Sequence, residues 1–353
     1  MEFNLNIGGI GQEKGEAKVI TPVSVDSNTT YDVLILGGGP AGMNAAIYAA
    51  RKGLKPAILA ERLGGQLLDT SEVDNYLGVQ GLSGFELANR FVDHARSLEV
   101  AMLEGVRITK YRGVDEEPKE LHTLVSSTGQ EFHGRTVLIA TGSKPRKLEI
   151  PGEDKLMGSG VSYCAICDGF FFRNKRVVIA GGGNAALEAA IDMAKIASEV
   201  IIIQRSHYRA DKVLLDQADR LDNVKRIDRT QIVEILGTLQ VEAVRVFDKR
   251  TKETYDLDTA AVFVEIGHVP NAAAFTGIVE QTAAGEIVID PELRTSVEGV
   301  YAAGDITTEP FKQIIVAASA GAKAALVINQ DLNRLSAATA DHMMSRVEMT
   351  ERN

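Results

Sequence analysis

The sequence predicts an α/β protein built from two Rossmann-like dinucleotide-binding domains. Three observations predict it. An apolar strand, a glycine-rich turn and an alanine-rich helix follow one another over residues 31–51. The same order recurs over residues 176–196. A further strand-to-glycine transition, Val300-Tyr301-Ala302-Ala303-Gly304-Asp305, lies far beyond the second unit, so the chain returns to its first domain. The length of 353 residues suits two domains, since one domain usually takes about 100–200 residues.

Taking the elements in order, residues 1–30 mix glycine with polar and charged side chains, among them Glu2, Glu13, Lys14 and Glu16. No basic stretch followed by an apolar core is present, so this does not read as a secretory signal. It reads as a poorly ordered extension or as an arm that docks on the body. Residues 31–36 form an apolar run of strand length, followed by Gly37-Gly38-Gly39-Pro40-Ala41-Gly42. A helix is expected over 43–51, ending at Gly53, and a second strand over 57–60, ending in Glu61. Gly37, Gly39 and Gly42 fit G-x-G-x-x-G, and the acid stands 24 positions after the first glycine. That is the full dinucleotide fingerprint in its strand–turn–helix setting. The glycines let the backbone turn and approach a pyrophosphate, the helix start favours its charge, and Glu61 can accept from a ribose hydroxyl.

In the second unit, strand 176–180 leads into Gly181-Gly182-Gly183-Asn184-Ala185-Ala186, a helix over 187–196 and a strand over 200–203. Gly181, Gly183 and Ala186 give the permitted G-x-G-x-x-A form. This strand ends in Gln204-Arg205-Ser206, without an acid. Arg205, Ser206 and Arg209 can hold the extra phosphate of NADPH, although arginines in such a place are also common as solvated surface charges. Two dinucleotide units in one chain suggest a flavin, FAD, fed by a nicotinamide, NADPH or NADH.

Composition excludes other classes. The net charge is −10, which argues against nucleic acid and anionic membrane as partners. No apolar run reaches the roughly 18 residues of a membrane span, so the expected location is cytoplasmic. The only two cysteines lie in Ser162-Tyr163-Cys164-Ala165-Ile166-Cys167-Asp168-Gly169. Cys-x-x-Cys is either a redox dithiol or half of a zinc site. Zinc needs two more ligands, there is no second cysteine pair, and none of the six histidines forms a ligand-spaced pair. The redox reading is therefore preferred, with no metal. Asp168 can exchange a proton with a thiol or a reduced flavin, or cap a helix. A short Cys-x-x-Cys loop entering a helix favours the thiolate.

The order of first fingerprint, Gly64-Gly65-Gln66-Leu67, Ala140-Thr141-Gly142, Cys164-Ala165-Ile166-Cys167-Asp168-Gly169, second fingerprint and Gly304-Asp305 resembles the low-molecular-weight thioredoxin reductases. It is also similar to the C-terminal part of the flavoprotein subunit of alkyl hydroperoxide reductase, notably at Gly64-Gly65-Gln66-Leu67-Leu68-Asp69-Thr70 and Lys312-Gln313-Ile314-Ile315. The resemblance implies a homodimer with an N-terminal extension over 1–30, an FAD domain over 31–148 and 266–335, an NAD(P)H domain with the redox pair inserted over 149–265, and a tail over 336–353, a short helix or a frayed end. It implies an FAD site of Gly37, Gly39, Pro40, Ala41, Gly42, Glu61, Gly65, Gln66, Leu67, Asn75, Ala140, Thr141, Gly142, Gly304, Asp305, Gln313 and Ile314. The NAD(P)H site would be Gly181, Gly183, Asn184, Ala185, Ala186, Arg205, Ser206 and Arg209, with Gly267 beside His268 at the interdomain hinge.

By the same resemblance, electrons pass from nicotinamide to flavin to the Cys164–Cys167 disulfide. Cys167 faces the flavin, Cys164 attacks the disulfide of thioredoxin or a thioredoxin-like protein, Asp168 handles the proton, and the inserted domain rotates between half-reactions. Residues 1–30 hold no cysteine and are too short for a thioredoxin-like region, so the disulfide partner is expected to be a separate protein. Members that use NADPH show His-Arg-Arg and a further Arg where this chain has Gln204-Arg205-Ser206-His207-Tyr208-Arg209. NADH and ferredoxin therefore stay open as donors, as does a glutaredoxin-like or thioredoxin-like acceptor serving a peroxiredoxin. A flavin-binding regulator without turnover is the reading from a different class; the intact Cys-x-x-Cys-Asp argues against it.

Overall fold

The computed structural model describes residues 22–70, 72–116 and 120–351, with side chains to Leu335. Most of the expected N-terminal arm, residues 1–21, lies outside the described residues. Residue Val23 pairs in parallel with Ala101, and its carbonyl accepts the Met102 N–H at 3.0 Å, so this part lies along a sheet edge.

From there the chain runs through β1 (Thr30–Gly38), α1 (Pro40–Arg51), β2 (Pro56–Leu63), α2 (Gly84–Ser97), β3 (Ala101–Glu104), β4 (Ile108–Arg112), β5 (His122–Ser126) and β6 (Glu131–Ile139). A short β7 (Ser143–Pro145) leads to β8 (Val161–Ser162), α3 (Ala165–Asp168), β9 (Arg176–Ala180), α4 (Asn184–Met193), β10 (Glu199–Ile203), α5 (Lys212–Ala218) and β11 (Val224–Ile227). Then come β12 (Thr230–Leu236), β13 (Ala243–Asp248), β14 (Thr254–Asp258), β15 (Ala261–Val264), β16 (His268–Pro270), β17 (Val300–Ala302) and α6 (Ile314–Glu351).

The first sheet has the order β3-β2-β1-β6-β5-β4, and β17 returns from the far end of the chain to pair in parallel with β6. Its centre is β1, whose side chains are buried on both faces: Val33 and Ile35 in one core, Leu34 and Leu36 in another. This is why residues 31–36 read as a continuous apolar run and not as an alternation. On the first face α1 packs against α6, mostly through alanine. A Cβ on Gly321 of α6 would stand 1.9 Å from the Ala41 carbonyl oxygen, so only glycine permits the helices to approach this closely.

The second sheet is wholly parallel, β11-β10-β9-β15-β8. An antiparallel meander, β12-β13-β14, supplies Ile232, Ile235, Val244 and Val246 to the core under β9 and β10. Between the two sheets the chain crosses twice, and the crossings pair as a small antiparallel ribbon, Ser143 with Pro270 and Pro145 with His268.

Three helices differ from the sequence expectation. α1 begins at Pro40 and α4 at Asn184, each directly after the middle glycine of its fingerprint, Gly39 and Gly183; proline suits a first helical position, where no N–H is needed. The C-terminal segment, expected as a short helix or frayed end, continues α6 as one helical backbone to Glu351. After Gly321 this segment contains no further glycine and no proline to stop it.

One buried pair in the first sheet makes stability depend on pH. His122 is 2% exposed, shares a hydrogen bond of 2.8 Å with the Tyr111 hydroxyl, and is pushed by burial down to about 4. The folded protein thus keeps His122 neutral while the unfolded chain takes up a proton below about 6.5. Its contribution is fully present above that pH and is lost as pH falls towards 4, a loss of about 3 kcal/mol. Urea unfolding of the wild type and of His122→Gln should show the stability difference between them shrinking from pH 7 to pH 4. A constant difference would show that His122 is not held neutral.

Candidate functional site

The two fingerprint turns are built alike. Gly37 has φ +111°, and a Cβ there would lie 2.2 Å from the carbonyl oxygen of Ala140, just beyond β6. Gly181 has φ +154°, and its Cβ would lie 2.3 Å from the carbonyl oxygen of Glu265, just beyond β15. In each unit the first glycine lets the turn press against the end of the neighbouring parallel strand. The third position closes the turn from the other side. A Cβ on Gly42 would meet the Gly37 carbonyl oxygen at 2.0 Å, and the Ala186 methyl lies 2.8 Å from where a Cβ on Gly181 would stand.

The middle glycines are different. Gly39 and Gly183 have extended backbone (φ −78° and −96°) that any residue adopts, and a Cβ on either would meet nothing within 4 Å. Protein packing therefore does not require glycine at these points. Both cap a helix, α1 and α4, without any side-chain hydrogen bond to the first-turn N–H groups. Open space in front of free N–H groups at the start of a helix of ten or more residues fits a phosphate.

Both turns open on a continuous cleft of about 2510 Å³. A single small-molecule site usually takes about 300–1,000 Å³, so this space suits more than one ligand. Of the residues expected at the FAD site, all but Gly42 line the cleft. Of those expected at the NAD(P)H site, all but Ala186 and Ser206 do. Gly42 and Ala186 act by packing the helix on the turn, as above. The Ser206 backbone carbonyl accepts the Arg229 N–H at 3.1 Å.

Glu61, at the end of β2, is exposed at the cleft with Arg107 3.5 Å from its carboxylate. In the second unit the equivalent acid is replaced by Gln204, which is buried. Its side chain turns inward beneath Gly182 and accepts the Arg205 N–H at 2.8 Å. The Gln204 amide carries no charge to repel a phosphate. Arg205 and Arg209 line the cleft, and neither guanidinium joins an ion pair among the described residues.

Cys164 and Cys167 are joined by a disulfide, their Cα atoms 5.3 Å apart. Cys164 caps α3, and its sulfur accepts the Cys167 N–H at 3.2 Å. Cys167 is the more exposed of the two. Asp168 closes the same short helix. It stands at the N-cap position of the 3-10 turn Gly169–Phe172, as the helix-cap expectation has it, but its side chain makes no capping bond there; instead its carboxylate accepts the Ser162 hydroxyl at 2.6 Å. Burial pushes the Asp168 carboxyl up, against the opposing pull of the Ser162 bond. A carboxyl so placed can hold a proton next to the sulfurs.

Distant segments converge on this pair. The Asn75 amide donates to the Gln313 side-chain oxygen at 3.3 Å, and the Gln313 amide lies 3.9 Å from the Cys164 sulfur. The Gln66 amide donates to the Ser143 carbonyl. Asp305 also lines the cleft, its carboxyl pushed up by burial.

Several contributors were not read from the sequence. Ser162 and Asn271 could have been suspected from their places beside Cys164 and Gly267. Asn271 ties the second crossing to Thr141, with bonds of 2.9 Å in both directions. Glu153 is buried and accepts the Leu148 and Glu149 N–H groups and the Tyr163 hydroxyl, at 2.8, 2.7 and 3.0 Å. It thereby joins the first crossing to the residue preceding Cys164. Glu265 gave no local signal. Beside the disulfide, Ile166, which also lines the cleft, and Phe170 are 68% and 69% exposed.

Comparison with known proteins agrees with this construction. The pyridine nucleotide-disulphide oxidoreductase family model matches residues 31–321. The alkyl hydroperoxide reductase F subunit from Pseudomonas putida is 41% identical over 315 residues, covering 89% of this chain and 60% of that protein. Its Escherichia coli counterpart is 40% identical over 318 residues, covering 90% and 60%. The chain thus spans about 60% of the length of these curated relatives. Among solved structures, thioredoxin reductase from Streptococcus pyogenes superposes with a TM-score of 0.82 at 34% identity, covering 87% of this chain and all of that one. The Giardia duodenalis thioredoxin reductase gives 0.81 at 31% identity, covering 86% and 99%. Among the described residues no helix is long and apolar enough to cross a membrane. The cofactors of the family are FAD and NAD(P)H, and the two phosphate-ready turns on one cleft fit them. With its two fingerprint turns and a redox disulfide on one cleft, the chain belongs to the pyridine nucleotide-disulphide oxidoreductase family.

Proposed function

We propose that this protein is a disulfide reductase that carries electrons from NADPH, through FAD, to its Cys164–Cys167 pair and on to a separate thioredoxin-like protein. The observation that carries this reading is the disulfide itself, which lines the cleft with the Gln313 amide 3.9 Å from the Cys164 sulfur and with exposed Ile166 and Phe170 beside it. An apolar patch beside a reactive pair suits docking of another protein more than capture of a small thiol.

Residues Gly39, Gln66, Asn75, Asp305 and Gln313 would hold FAD, and residues Gly183, Arg205 and Arg209 would hold NADPH. FAD, when bound, supplies a two-electron relay between nicotinamide and disulfide. Opening the disulfide consumes two electrons and, when both sulfurs end as thiols, two protons. Asp168 is placed to hold one of these. Cys164 then attacks the partner's disulfide, releasing one partner thiol, and Cys167 displaces the second as the internal disulfide re-forms. We assign the domain boundary to the ribbon of β7 and β16, where both crossings meet, and expect the inserted domain to turn there.

A second reading concerns the partner alone. The 41% identity to the F subunit of alkyl hydroperoxide reductase favours an acceptor that serves a peroxiredoxin. Side-by-side turnover with a thioredoxin and with a peroxiredoxin-linked glutaredoxin or thioredoxin-like domain separates the two.

The donor is tested anaerobically. NADPH should bleach the flavin, with NADH markedly slower. Arg205→Ala and Arg209→Ala should each raise the NADPH KM about tenfold, the loss of one charge-assisted contact, and leave the NADH KM unchanged. Equal reduction by NADH, with no discrimination in the variants, would overturn the assignment of these arginines.

A further inference from the structure

Glu265 ends the run that follows β15 and is not used in the mechanism above. Its backbone carbonyl is the wall against which Gly181 presses, and its own N–H donates to the Ala180 carbonyl at 2.8 Å. Its side chain turns the other way, into the cleft, and accepts the Ala165 N–H at 3.3 Å. Ala165 is the residue directly after Cys164. One residue thus connects the second nucleotide turn to the redox turn, with a carboxyl at the junction.

We propose that Glu265 is a positioning residue for the redox pair, anchoring the chain at Ala165 and, when ionised, setting a negative charge in the turn where the Cys164 thiolate forms. This rests on the disulfide reductase reading and adds a residue to it. Glu265 is half-buried. The segment it bonds at Ala165, Cys164 with α3, carries the two sulfurs and Asp168, whose carboxyl is taken by Ser162. The turn at residues 181–183 brings no ionisable side chain. The β7–β16 crossing brings Arg146, whose side chain packs on Gly267. Desolvation is the dominant influence and pushes the Glu265 carboxyl up to about 7.

The chemistry follows from charge. Reduction breaks the S–S bond and adds two electrons. If Cys164 remains a thiolate and Cys167 becomes a thiol, one proton is taken up and one net negative charge appears in the turn. An ionised Glu265 opposes that charge; a protonated one does not. Between about pH 6 and 8 the protein would therefore pass from a state favouring the Cys164 thiolate to one restraining it.

The test needs no nicotinamide and no partner. The FAD-loaded protein is reduced with dithiothreitol, desalted anaerobically, and treated with iodoacetamide from pH 5 to 10, the modification of Cys164 being followed by mass spectrometry. In the wild type the profile should require two ionisations, one near neutrality. Glu265→Gln keeps an acceptor for the Ala165 N–H but cannot ionise. It should remove the lower step and shift the thiol midpoint down by about one pH unit, a tenfold change in thiolate fraction below the midpoint. A Glu265→Gln profile that superimposes on the wild type would overturn the proposal. So would a wild-type profile described by a single ionisation, which decides the matter even if the variant does not fold. Loss of NADPH-driven turnover with the expected alkylation profile intact would count against the proposed function and not against Glu265.

Discussion

Cys164→Ser should remain folded and flavin-loaded and should lose disulfide reductase turnover, to below about a thousandth of the wild type, as expected when a covalent nucleophile is removed. The same loss is expected for Cys167→Ser. The physical reason is that an alcohol forms no disulfide and, with a pKa far above that of a thiol, supplies no anion at neutral pH. The side chain at 164 is half-buried in a short turn, touching Gln313, the Cys167 N–H and its disulfide partner, so exchanging sulfur for oxygen disturbs little packing. Flavin reduction by the nicotinamide should persist in both variants because neither cysteine belongs to a fingerprint turn. The measurement is stopped-flow bleaching of the flavin beside steady-state reduction of the disulfide substrate. Substantial turnover by Cys164→Ser would mean that the attacking thiol is elsewhere, and Cys167 would be the residue to reassign.

Gly37→Ala should yield a poorly folded protein with little bound FAD. The added methyl would have to occupy a point 2.2 Å from the Ala140 carbonyl oxygen at φ +111°. The positive φ costs about 1–2 kcal/mol for an L-residue. Relieving the clash means separating the ends of two central parallel strands, which brings the total to about 4 kcal/mol or more. Gly39→Ala is the informative companion. It meets no protein atom and its backbone is extended, so its unfolding temperature without added FAD should match the wild type. Its methyl would stand in the space reserved for the pyrophosphate, so FAD affinity should fall. Flavin absorbance per chain and thermal unfolding of the apoprotein separate the two variants. If Gly39→Ala retained FAD as the wild type does, the phosphate would have to lie elsewhere.

These two glycines also show how far the fold could be read from residue types. Gly37 and Gly181 were legible because a left-handed turn against a neighbouring strand is a local backbone demand that excludes side chains. The continuous apolar run of β1 was legible because a central parallel strand is covered on both faces. The starts of α1 at Pro40 and of α4 at Asn184 lie three residues before the expected ones, because the expectation begins each helix after the glycine-rich stretch, whereas the helical backbone begins within it. Gln204 is legible as a missing acid. That its amide folds beneath Gly182, while Arg205 and Arg209 line the cleft, depends on packing that no local pattern contains.

The sequence by itself determined the two nucleotide turns, the redox pair and the order in which they occur, because each is written in neighbouring residues whose backbone or sulfur chemistry admits few alternatives. Only the tertiary structure decided which groups meet there. Asn75 reaches Gln313 across 238 positions, Gln313 reaches Cys164 across 149, and Glu265 reaches Ala165 across 100. Such contacts are set by where β17 and β15 return to their sheets and by the paired crossings of β7 and β16. The reason is physical: the torsions of a glycine turn are local, whereas the burial that pushes up a carboxyl beside the redox turn is made by chain segments far apart in sequence.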